Sequence, residues 1–570
     1  MAKLLGVDDL ALEERLDRLD RVHRLIETLG EEELPDGTLG MRYRFAHALY
    51  QNVLYGDLVS KRRMLLHRQA GEQLVAHYGA EAPRIATQLA MHFERGRDYG
   101  RAIEYLTHAG DNATKVYANA EAEQHYSHAL GLVAKLPAEE QAEKELSLYR
   151  KRGAVNHVLS RFDQAVADFT KMLERARATG SPAMEHAALN ALARTLFFAH
   201  RLDEVAARLN EALRVAEAAG NEALKVETLM LIGQRHYCLG NMAEAKEILD
   251  ENIRLARALN HRPTLLGGLV WRGFVHFFQS EYERAEELLT EAVSLGSELR
   301  EGFLLLMGLF CLGMTRGNLG RMSEALRTLN EAIEMARRNG DHFILPRLPN
   351  CIGWIHRELG DFDQALEQDQ AGVELARKYD LLEAEINSVI NLGQDYTSQG
   401  EGEKARPLFG EIEVMLARDE WLRWRFNLRH QAGQAEYWLE QGNPERAEEY
   451  AGRLLELATH HEARKYVAVA HKLLAEMAVA RGDLAEAETE LGAALTELAS
   501  YPVPIVAWKI YAALGGLRLR LGQGQAARDA YARATAIVKE IAASVDDEKL
   551  RTTFLNSAAV REVVAGANGS

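Results

Sequence analysis

Small and large apolar residues recur along this chain with a period of 40 residues, and the pattern predicts paired helices. Ten turns are expected, with one two-residue slip between the seventh and the eighth: Ser160, His200, Gly240, Ser280, Gly320, Gly360, Gly400, Gly442, Gly482 and Gly522. A period of this size is typical of a solenoid in which each helical hairpin buries its apolar face only against its neighbours. The sequence therefore predicts ten repeats across residues 138–544.

Two columns of small residues accompany the turns. Five residues after each turn come Ala165, Val205, Ala245, Ala285, Ala325, Ala365, Ala405, Ala447, Ala487 and Ala527. Twelve residues before that column come Gly153, Ala193, Gly233, Gly273, Gly313, Gly353, Gly393, Ala435, Ala475 and Gly515. A large apolar residue follows the first column by four positions in most repeats, as at Phe169 and Leu249. Because glycine costs a helix about 1 kcal/mol relative to alanine, its repetition indicates helices that pack closely.

This arrangement resembles the tetratricopeptide repeat (TPR), although the unit here has 40 residues instead of about 34 and lacks the proline that often closes that repeat. The resemblance covers about 400 residues. It implies an all-α fold, a right-handed superhelical solenoid whose concave face binds a protein, peptide or effector ligand. Similar lengthened repeats occur in bacterial signalling regulators and peptide-binding adaptors.

The first 80 residues lack the period. A helix is predicted from Asp8 to about Arg21, followed by two β-prone stretches around the turn at residues 35–37, a helix from His47, and a helix from about Ser60 to Tyr78. This pattern indicates a small winged-helix-like module. The domain boundaries that we expect are 1–80 for this module, 81–137 for irregular helical repeats, 138–544 for the ten repeats, and 545–570 for a C-terminal capping helix and tail.

Segments at both ends resemble the bacterial signal-transduction ATPases with numerous domains (STAND ATPases). They are Arg44–Leu49, Tyr55 and Arg62–His67 near the start, and Asp547–Arg551, Phe554–Leu555 and Val560–Arg561 near the end. The resemblance implies that the repeats are the sensor arm of a signalling ATPase. It also matches His47 to a winged-helix histidine that senses the nucleotide phosphate. The alternative for His47 is a buried histidine satisfied by the backbone of the hairpin.

The chain departs from these ATPases because it has no phosphate-binding loop. That loop requires Gly-Lys, and the dipeptide does not occur in this sequence. We therefore expect no ATP hydrolysis. Either the chain is the sensor half of a larger protein with an ATPase domain upstream, or it is a stand-alone relative without that domain.

Composition supports a cytoplasmic protein without catalytic chemistry. The chain is 47% hydrophobic and 27% charged, has a formal net charge of -16, and contains no apolar run of about 20 residues. Its three cysteines, Cys238, Cys311 and Cys351, have no metal or redox spacing and are predicted to be buried thiols. Histidines spaced by one repeat lie about 10 Å apart, too far to share a metal ion. The sequence predicts no enzyme activity, no cofactor and no metal site.

A concave binding surface is predicted from the positions 7, 8, 11 and 15 residues before the alanine column and from their polar neighbours. The candidate partner-binding residues are Arg194, Phe197, Phe198, Gln234, Tyr237, Phe274, Phe277, Phe278, Phe310, Met314, Asn350, Trp354 and Arg357. Later repeats have polar residues such as Gln394 and Glu436 in these columns. Clustered aromatic residues on a concave face are typical of a binding site. The alternative is that a shifted register makes them ordinary core between repeats.

Two function classes remain open at this point. The first is a non-enzymatic regulatory protein, a sensor or scaffold, that captures a partner in the groove. The second is a DNA-associated transcription regulator whose N-terminal module uses the basic residues Arg42, Arg44, Lys61, Arg62, Arg63 and Arg68. The acidic net charge disfavours general nucleic-acid binding, and such a module also serves as internal packing.

Overall fold

The structure is a computed structural model that describes residues 6–418 and 421–568. The chain divides into two compact units, Met1–Ala219 and Gly220–Ser570. Each is described separately below.

The first unit begins with a small α/β module. Helix α1 (Asp9–Arg21) is capped by the Asp8 carboxylate, which accepts hydrogen bonds from two backbone amides. Strands β1 (Ile26–Glu33) and β2 (Leu39–Phe45) form an antiparallel hairpin. The helices α2 (Ala48–Asp57) and α3 (Ser60–Tyr78) follow. The predicted helices and the strand hairpin of this segment are therefore confirmed.

Helical hairpins make up the rest of the first unit. After a 3-10 segment at Gly79–Ile85, the helices are α4 (Ala86–Arg95), α5 (Tyr99–Lys115), α6 (Asn119–Val133), α7 (Ala138–Val158), α8 (Phe162–Ala178), α9 (Pro182–Phe198) and α10 (Leu202–Ala218).

The second unit continues the same alternation of helices. They are α11 (Glu222–Leu239), α12 (Met242–Ala258), α13 (Arg262–Phe278), α14 (Tyr282–Leu299), α15 (Gly302–Asn318), α16 (Met322–Asn339), α17 (Leu348–Glu358), α18 (Phe362–Lys378), α19 (Leu382–Ser398), α20 (Gly402–Leu416), α21 (Arg423–Glu440), α22 (Pro444–His460), α23 (Arg464–Arg481), α24 (Leu484–Ser500), α25 (Pro504–Arg520), α26 (Gly524–Ala543), α27 (Glu548–Asn556) and α28 (Ala558–Asn568). A short 3-10 turn, Leu345–Arg347, precedes α17. The predicted all-α solenoid of hairpins is confirmed. Among the helices described, none is long and apolar enough to cross a membrane.

The predicted turns are visible in the backbone. All ten positions from Ser160 to Gly522 have a left-handed φ, between 57° at Ser160 and 87° at Gly482. A second series of left-handed residues, which the sequence analysis did not identify, lies midway between them. It comprises Gly180, Gly220, Asn260, Arg300, Gly340 and Asp380. Each 40-residue unit is therefore two helices of similar length that both end in a left-handed residue, which stops a helix by turning the chain.

The small columns have a packing cause. A Cβ added at Gly273 would lie 2.7 Å from the Leu289 side chain, and one added at Gly313 would lie 2.7 Å from Leu329. The large residue four positions after each alanine thus fills the space that the glycine leaves on the partner helix. Asp369 occupies this place opposite Gly353, with its carboxylate 2.5 Å from an added Cβ.

The repeats of the second unit curl until the chain meets itself. We call these contacts the seam: the turns at Gly240, Ser280 and Gly320 touch residues about 180–220 positions further along. The His461 Nδ1 lies 3.0 Å from the Gly240 carbonyl oxygen, and the Lys465 amide donates to Ser280 Oγ at 2.8 Å. Hydrogen bonds from and to Ser544 Oγ close the seam at Gly320. The concave helices of this unit therefore surround a narrow interior.

Candidate functional site

A pocket of about 100 Å³ lies inside the curl of the second unit. Residues from α13, α14, α15, α17, α19, α21 and α23 form it. Its lining comprises Phe274, Phe277, Phe278, Tyr282, Phe310, Cys311, Met314, Asn318, Asn350, Cys351, Trp354, Asn387, Asn391, Arg425, Arg429, Lys465 and Tyr466.

One wall of the pocket is aromatic. The Phe274 and Phe310 rings have centroids 5.9 Å apart, and the Phe277 and Phe278 rings meet edge to face at 5.1 Å. Phe278 also packs against the Trp424 ring at 4.9 Å. Phe277 and Phe278 are half-buried, whereas Phe274 is fully buried. This wall offers apolar surface to a ligand while its rear faces are held by the core.

The opposite wall carries side-chain amides. Asn391 donates one hydrogen bond to the Asn350 carbonyl oxygen at 2.7 Å and another to Asp369 Oδ1 at 2.8 Å. Arg429 donates to the side-chain oxygens of Asn387 and Asn391. The amides are therefore fixed by a network that begins in the core and ends at the pocket surface.

Three cations line the same side. Lys465 Nζ donates to Asn318 Oδ1 at 2.9 Å and lies 5.2 Å from the Trp354 ring centroid. Burial, together with nearby cations, lowers the pKa of Lys465 to about 8. The Arg425 guanidinium stands over the Phe278 ring at 5.9 Å. Burial also lowers the pKa of Arg429. Desolvation of this kind acts against a positive charge that lacks a close anion.

The carboxylates near this wall have other partners. Arg357 donates to Asp395 Oδ1 at 3.1 Å, and Lys509 Nζ donates to the Glu358 carboxylate at 2.7 Å. Arg347 pairs with Glu383. The Asp369 carboxyl lies beside Asp395, and burial and that neighbouring charge raise the pKa of Asp369 well above its usual range. None of these acidic residues lines the pocket.

The structure brings together part of the surface that the sequence predicted. Seven candidates line the pocket: Phe274, Phe277, Phe278, Phe310, Met314, Asn350 and Trp354. Gln234 and Tyr237 are buried and outside its lining, with Tyr237 packed 5.6 Å from Phe274. Arg357 lies outside the lining and is paired with Asp395. For these three residues, core packing describes the surroundings.

The remaining candidates belong to the first unit. Phe197 and Phe198 are buried and meet edge to face at 5.6 Å, and the Phe198 ring also contacts His157 at 5.1 Å. Arg194 is exposed on the same helix, α9. Their assignment to a partner site stays a prediction.

Several pocket residues were missed because the lining drifts along the helices. It uses Phe278, then Met314, then Asn350, each 36 residues after the last, and continues to Asn387 and Arg425 at spacings of 37 and 38 residues. The structural repeat is 40 residues long, so each successive helix presents a position about one turn nearer its N-terminus. Fixed columns follow the repeat and leave the pocket after two or three units. The 36-residue spacing is the signal that would have found Asn387, Asn391, Arg425, Arg429, Lys465 and Tyr466.

The N-terminal candidates lie on an exposed surface. His47 is exposed and caps α2, its Nδ1 accepting a hydrogen bond from the Leu49 amide at 3.1 Å. It is therefore not the buried histidine of the alternative hypothesis. Two residues of the proposed basic surface are already paired within the hairpin, Arg44 with Glu27 at 2.6 Å and Arg42 with Glu32 at 3.4 Å.

Other features add no reactive centre. All three cysteines are buried and free, as predicted, and burial raises the pKa of each thiol. Within the described ranges, no group of three or more metal-ligating residues converges. An open depression of about 810 Å³ lies beside α27, and it offers a ligand no aromatic surface. Its lining is Gly360, Glu548, Lys549, Thr552, Thr553, Asn556 and Ser557.

The comparisons with known proteins agree with the repeat architecture. Residues 268–451 match the family described as the MalT-like TPR region, a segment that holds most of the pocket wall. No curated protein sequence matches the chain. The repeats of this chain are thus TPR-like.

Solved structures with similar helical architecture include three repeat proteins. A Rap protein in complex with competence and sporulation factor has 14% identity and a TM-score of 0.41, over 70% of this chain and 100% of that one. The apo quorum sensor NprR from B. thuringiensis has 13% identity and a TM-score of 0.45, over 64% and 100%. The Cut9-Hcn1 heterotetramer of APC/C has 14% identity and a TM-score of 0.44, over 90% and 96%. With TM-scores below 0.5, these likenesses carry no inference about function.

Proposed function

We propose that this chain is a non-enzymatic regulatory protein whose second unit captures a protein or peptide segment in the pocket inside its curl. The observation that supports this most strongly is the pairing of half-buried aromatic rings with fixed amides in one cavity. Apolar surface provides affinity and oriented polar groups provide specificity, which is the composition of a binding site rather than of a core. The amides of Asn387 and Asn391 suit the backbone of an extended segment.

Peptide display against the intact chain tests the proposal. Wild-type protein should enrich a related set of peptides, and the Phe277→Ala/Phe278→Ala variant should bind the selected peptides at least about tenfold more weakly, because the aromatic contact area is lost. Val414→Ala, an exposed site outside the lining, is the matched control and should bind normally. Circular dichroism melting curves check that each variant is folded.

A second variant protects this test against simple unfolding. Met314 is half-buried in the pocket, and Met314→Ala should weaken binding with little loss of stability. Equal peptide binding by the wild type and both pocket variants would refute the proposal, and unfolding of every pocket variant would assign these residues to the core.

We further infer that the chain serves as the sensor arm of a signalling ATPase supplied by another domain. The inference rests on the sequence resemblance of Arg44–Leu49 and on the surface of α2, whose apolar residues Leu49, Val53 and Leu54 are more than half exposed. Such a surface calls for a cover. Purified chain alone should show no ATP hydrolysis, and measurable turnover would contradict the proposed division of labour.

DNA binding by the N-terminal module is the second candidate, and no structural feature favours it. Its hairpin arginines Arg42 and Arg44 are engaged with glutamates. A gel shift of the full chain that weakens steeply with salt would revive this candidate.

A further inference from the structure

The pocket has two walls of different chemistry that come from different parts of the chain. The aromatic wall is supplied by residues 274–354, and the cations come from residues 425–465. The two segments meet across the seam, where Lys465 contributes its amide to Ser280 and its ammonium to the pocket. A ligand in the pocket therefore touches both sides of the seam.

The cationic wall lacks a counter-charge. Over residues 6–418 and 421–568, no carboxylate lies within 4.0 Å of the charged nitrogens of Arg425, Arg429 or Lys465. Their partners are amide oxygens and aromatic rings. Neutral partners satisfy hydrogen bonds without offsetting the charge, so desolvated cations of this kind gain most from an anion.

The neighbouring acidic groups do not meet this need. Asp395 is held by Arg357 and Glu358 by Lys509. Asp369 is turned into the helix interface opposite Gly353 and receives the Asn391 amide. The fold thus pairs its own carboxylates beneath the wall and leaves the positive charges at the pocket surface.

The size of the pocket limits what enters it. A volume of about 100 Å³ equals roughly three water molecules at about 30 Å³ each, and an apolar cavity that admits benzene is about 150 Å³. The pocket therefore receives the end of a ligand and not a whole folded element. A carboxylate beside one apolar side chain matches both the volume and the two walls.

We propose that the pocket binds an apolar carboxylate, with the anionic group against Arg425, Arg429 and Lys465 and the apolar part against Phe274, Phe278 and Trp354. This inference rests on the proposed function and specifies the ligand of the same site. Because such a ligand bridges the two walls, its binding holds the seam closed. A peptide C-terminus and a small carboxylic acid share this chemistry.

The direct test uses N-acetyl-4-fluorophenylalanine and its carboxamide as probes, which differ only in the anionic group. Their binding to the full chain is measured by fluorine NMR. The acid should bind at least about tenfold more tightly than the amide, as expected when charge-assisted hydrogen bonds are present in one complex only. An amide that binds as well as the acid, or no binding of either probe, would overturn the proposal.

Variants assign the discrimination to the wall. Lys465→Gln and Arg429→Gln should each reduce the preference for the acid to about threefold or less, and Arg254→Gln, an exposed site, should leave it unchanged. Lys465→Gln alone decides the question if Arg429→Gln does not fold. A preference that survives in Lys465→Gln would contradict the assignment.

Two further arms separate the sources and the claims. Display-selected peptides with free and amidated C-termini show whether the anion is a chain end; if the acid probe alone discriminates, the ligand is a small acid. Hydrogen exchange at the seam amide of Lys465 should slow when the acid probe binds. Selected peptides that bind equally with either terminus, together with no acid preference in the probes, would overturn the anionic end group and leave peptide capture standing.

Discussion

Asp369 stands where the other repeats place leucine or phenylalanine, and it costs the fold stability. The side chain is fully buried, and its Oδ2 has no amide or guanidinium donor among the residues described. Because the Asp395 carboxylate is close and is itself held by Arg357, the Asp369 carboxyl retains a proton far above the usual pH. In return, its Oδ1 fixes Asn391, which forms part of the pocket. The position trades core packing for an oriented amide.

Asp369→Asn should therefore stabilise the protein, and more so at higher pH. The raised pKa means that the contribution of Asp369 to stability is complete below its unfolded pKa and is lost as pH rises through its folded pKa. The gain in unfolding free energy should grow from about zero near about pH 4 to about 1–3 kcal/mol near about pH 8. Denaturant unfolding at both pH values measures it. Asp395→Asn, which removes the partner of buried Arg357, should destabilise at about pH 8, and a gain there would contradict this assignment of charges.

Lys465 makes the affinity for an acidic probe depend on pH. Since burial lowers its pKa to about 8, the ammonium loses its proton as pH rises from about 7 to about 9 and the wall loses one positive charge. Binding of N-acetyl-4-fluorophenylalanine should weaken by at least about threefold over this range, while its amide should not change. The loss should be absent in Lys465→Gln. An acid affinity that is constant with pH would show that Lys465 does not face the anion.

Helix pairs in this solenoid are set by the contact between a glycine and a large residue. The glycine column allows Leu289 and Leu329 to lie against the backbone of the partner helix, which explains why a residue that weakens helices recurs in their middle. An element whose partner residue is small has no need for it. Gly492 on α24 has nothing within 4 Å of an added Cβ.

Gly313→Ala and Gly492→Ala should consequently have opposite effects on stability. The first pushes a methyl group to 2.7 Å from Leu329 and should cost about 1–3 kcal/mol. The second adds helix propensity at an exposed site and should gain up to about 1 kcal/mol. Thermal unfolding of the two single variants compares them. Equal effects of either sign would mean that the glycine column is not a packing device.

The sequence predicted these elements well because their causes are local. Turns, alanines and glycines fall at fixed spacings, and the structure places left-handed backbone or close helix contacts at each. The pocket was harder to predict, since Arg425 and Lys465 depend on how far each helix is tilted against the last, which no single repeat encodes. The exchange of leucine for Asp369 likewise becomes meaningful only when Asp395 and Arg357 are known to lie beside it.

The second unit is stabilised by a seam as well as by contacts between neighbouring repeats. Few hydrogen bonds form it, and they involve turns and single side chains rather than an apolar interface. Contacts of this kind open at low free energy compared with a packed core. The seam is therefore the part of this unit that we expect to respond first to a ligand that touches both of its sides.

Ser544→Ala tests the seam at one bond. Its hydroxyl accepts a hydrogen bond from the Met322 amide at 3.0 Å and donates to the Gly320 carbonyl oxygen at 2.6 Å. The variant should exchange the Met322 amide about tenfold faster while unfolding free energy falls by no more than about 2 kcal/mol. Ser297→Ala, whose hydroxyl bonds only within its own helix among the described contacts, is the control. Unchanged exchange at Met322 would show that the seam is not held there.

Hydrogen exchange of the full chain with and without its tightest display-selected peptide tests ligand capture in the second unit most directly. We predict protection on the helices that line the pocket, Arg262–Phe278, Gly302–Asn318, Leu348–Glu358 and Arg423–Glu440, and at the seam amides, with none on Leu484–Ser500. Protection confined to other helices, with the pocket helices unchanged at saturating peptide, would contradict the account.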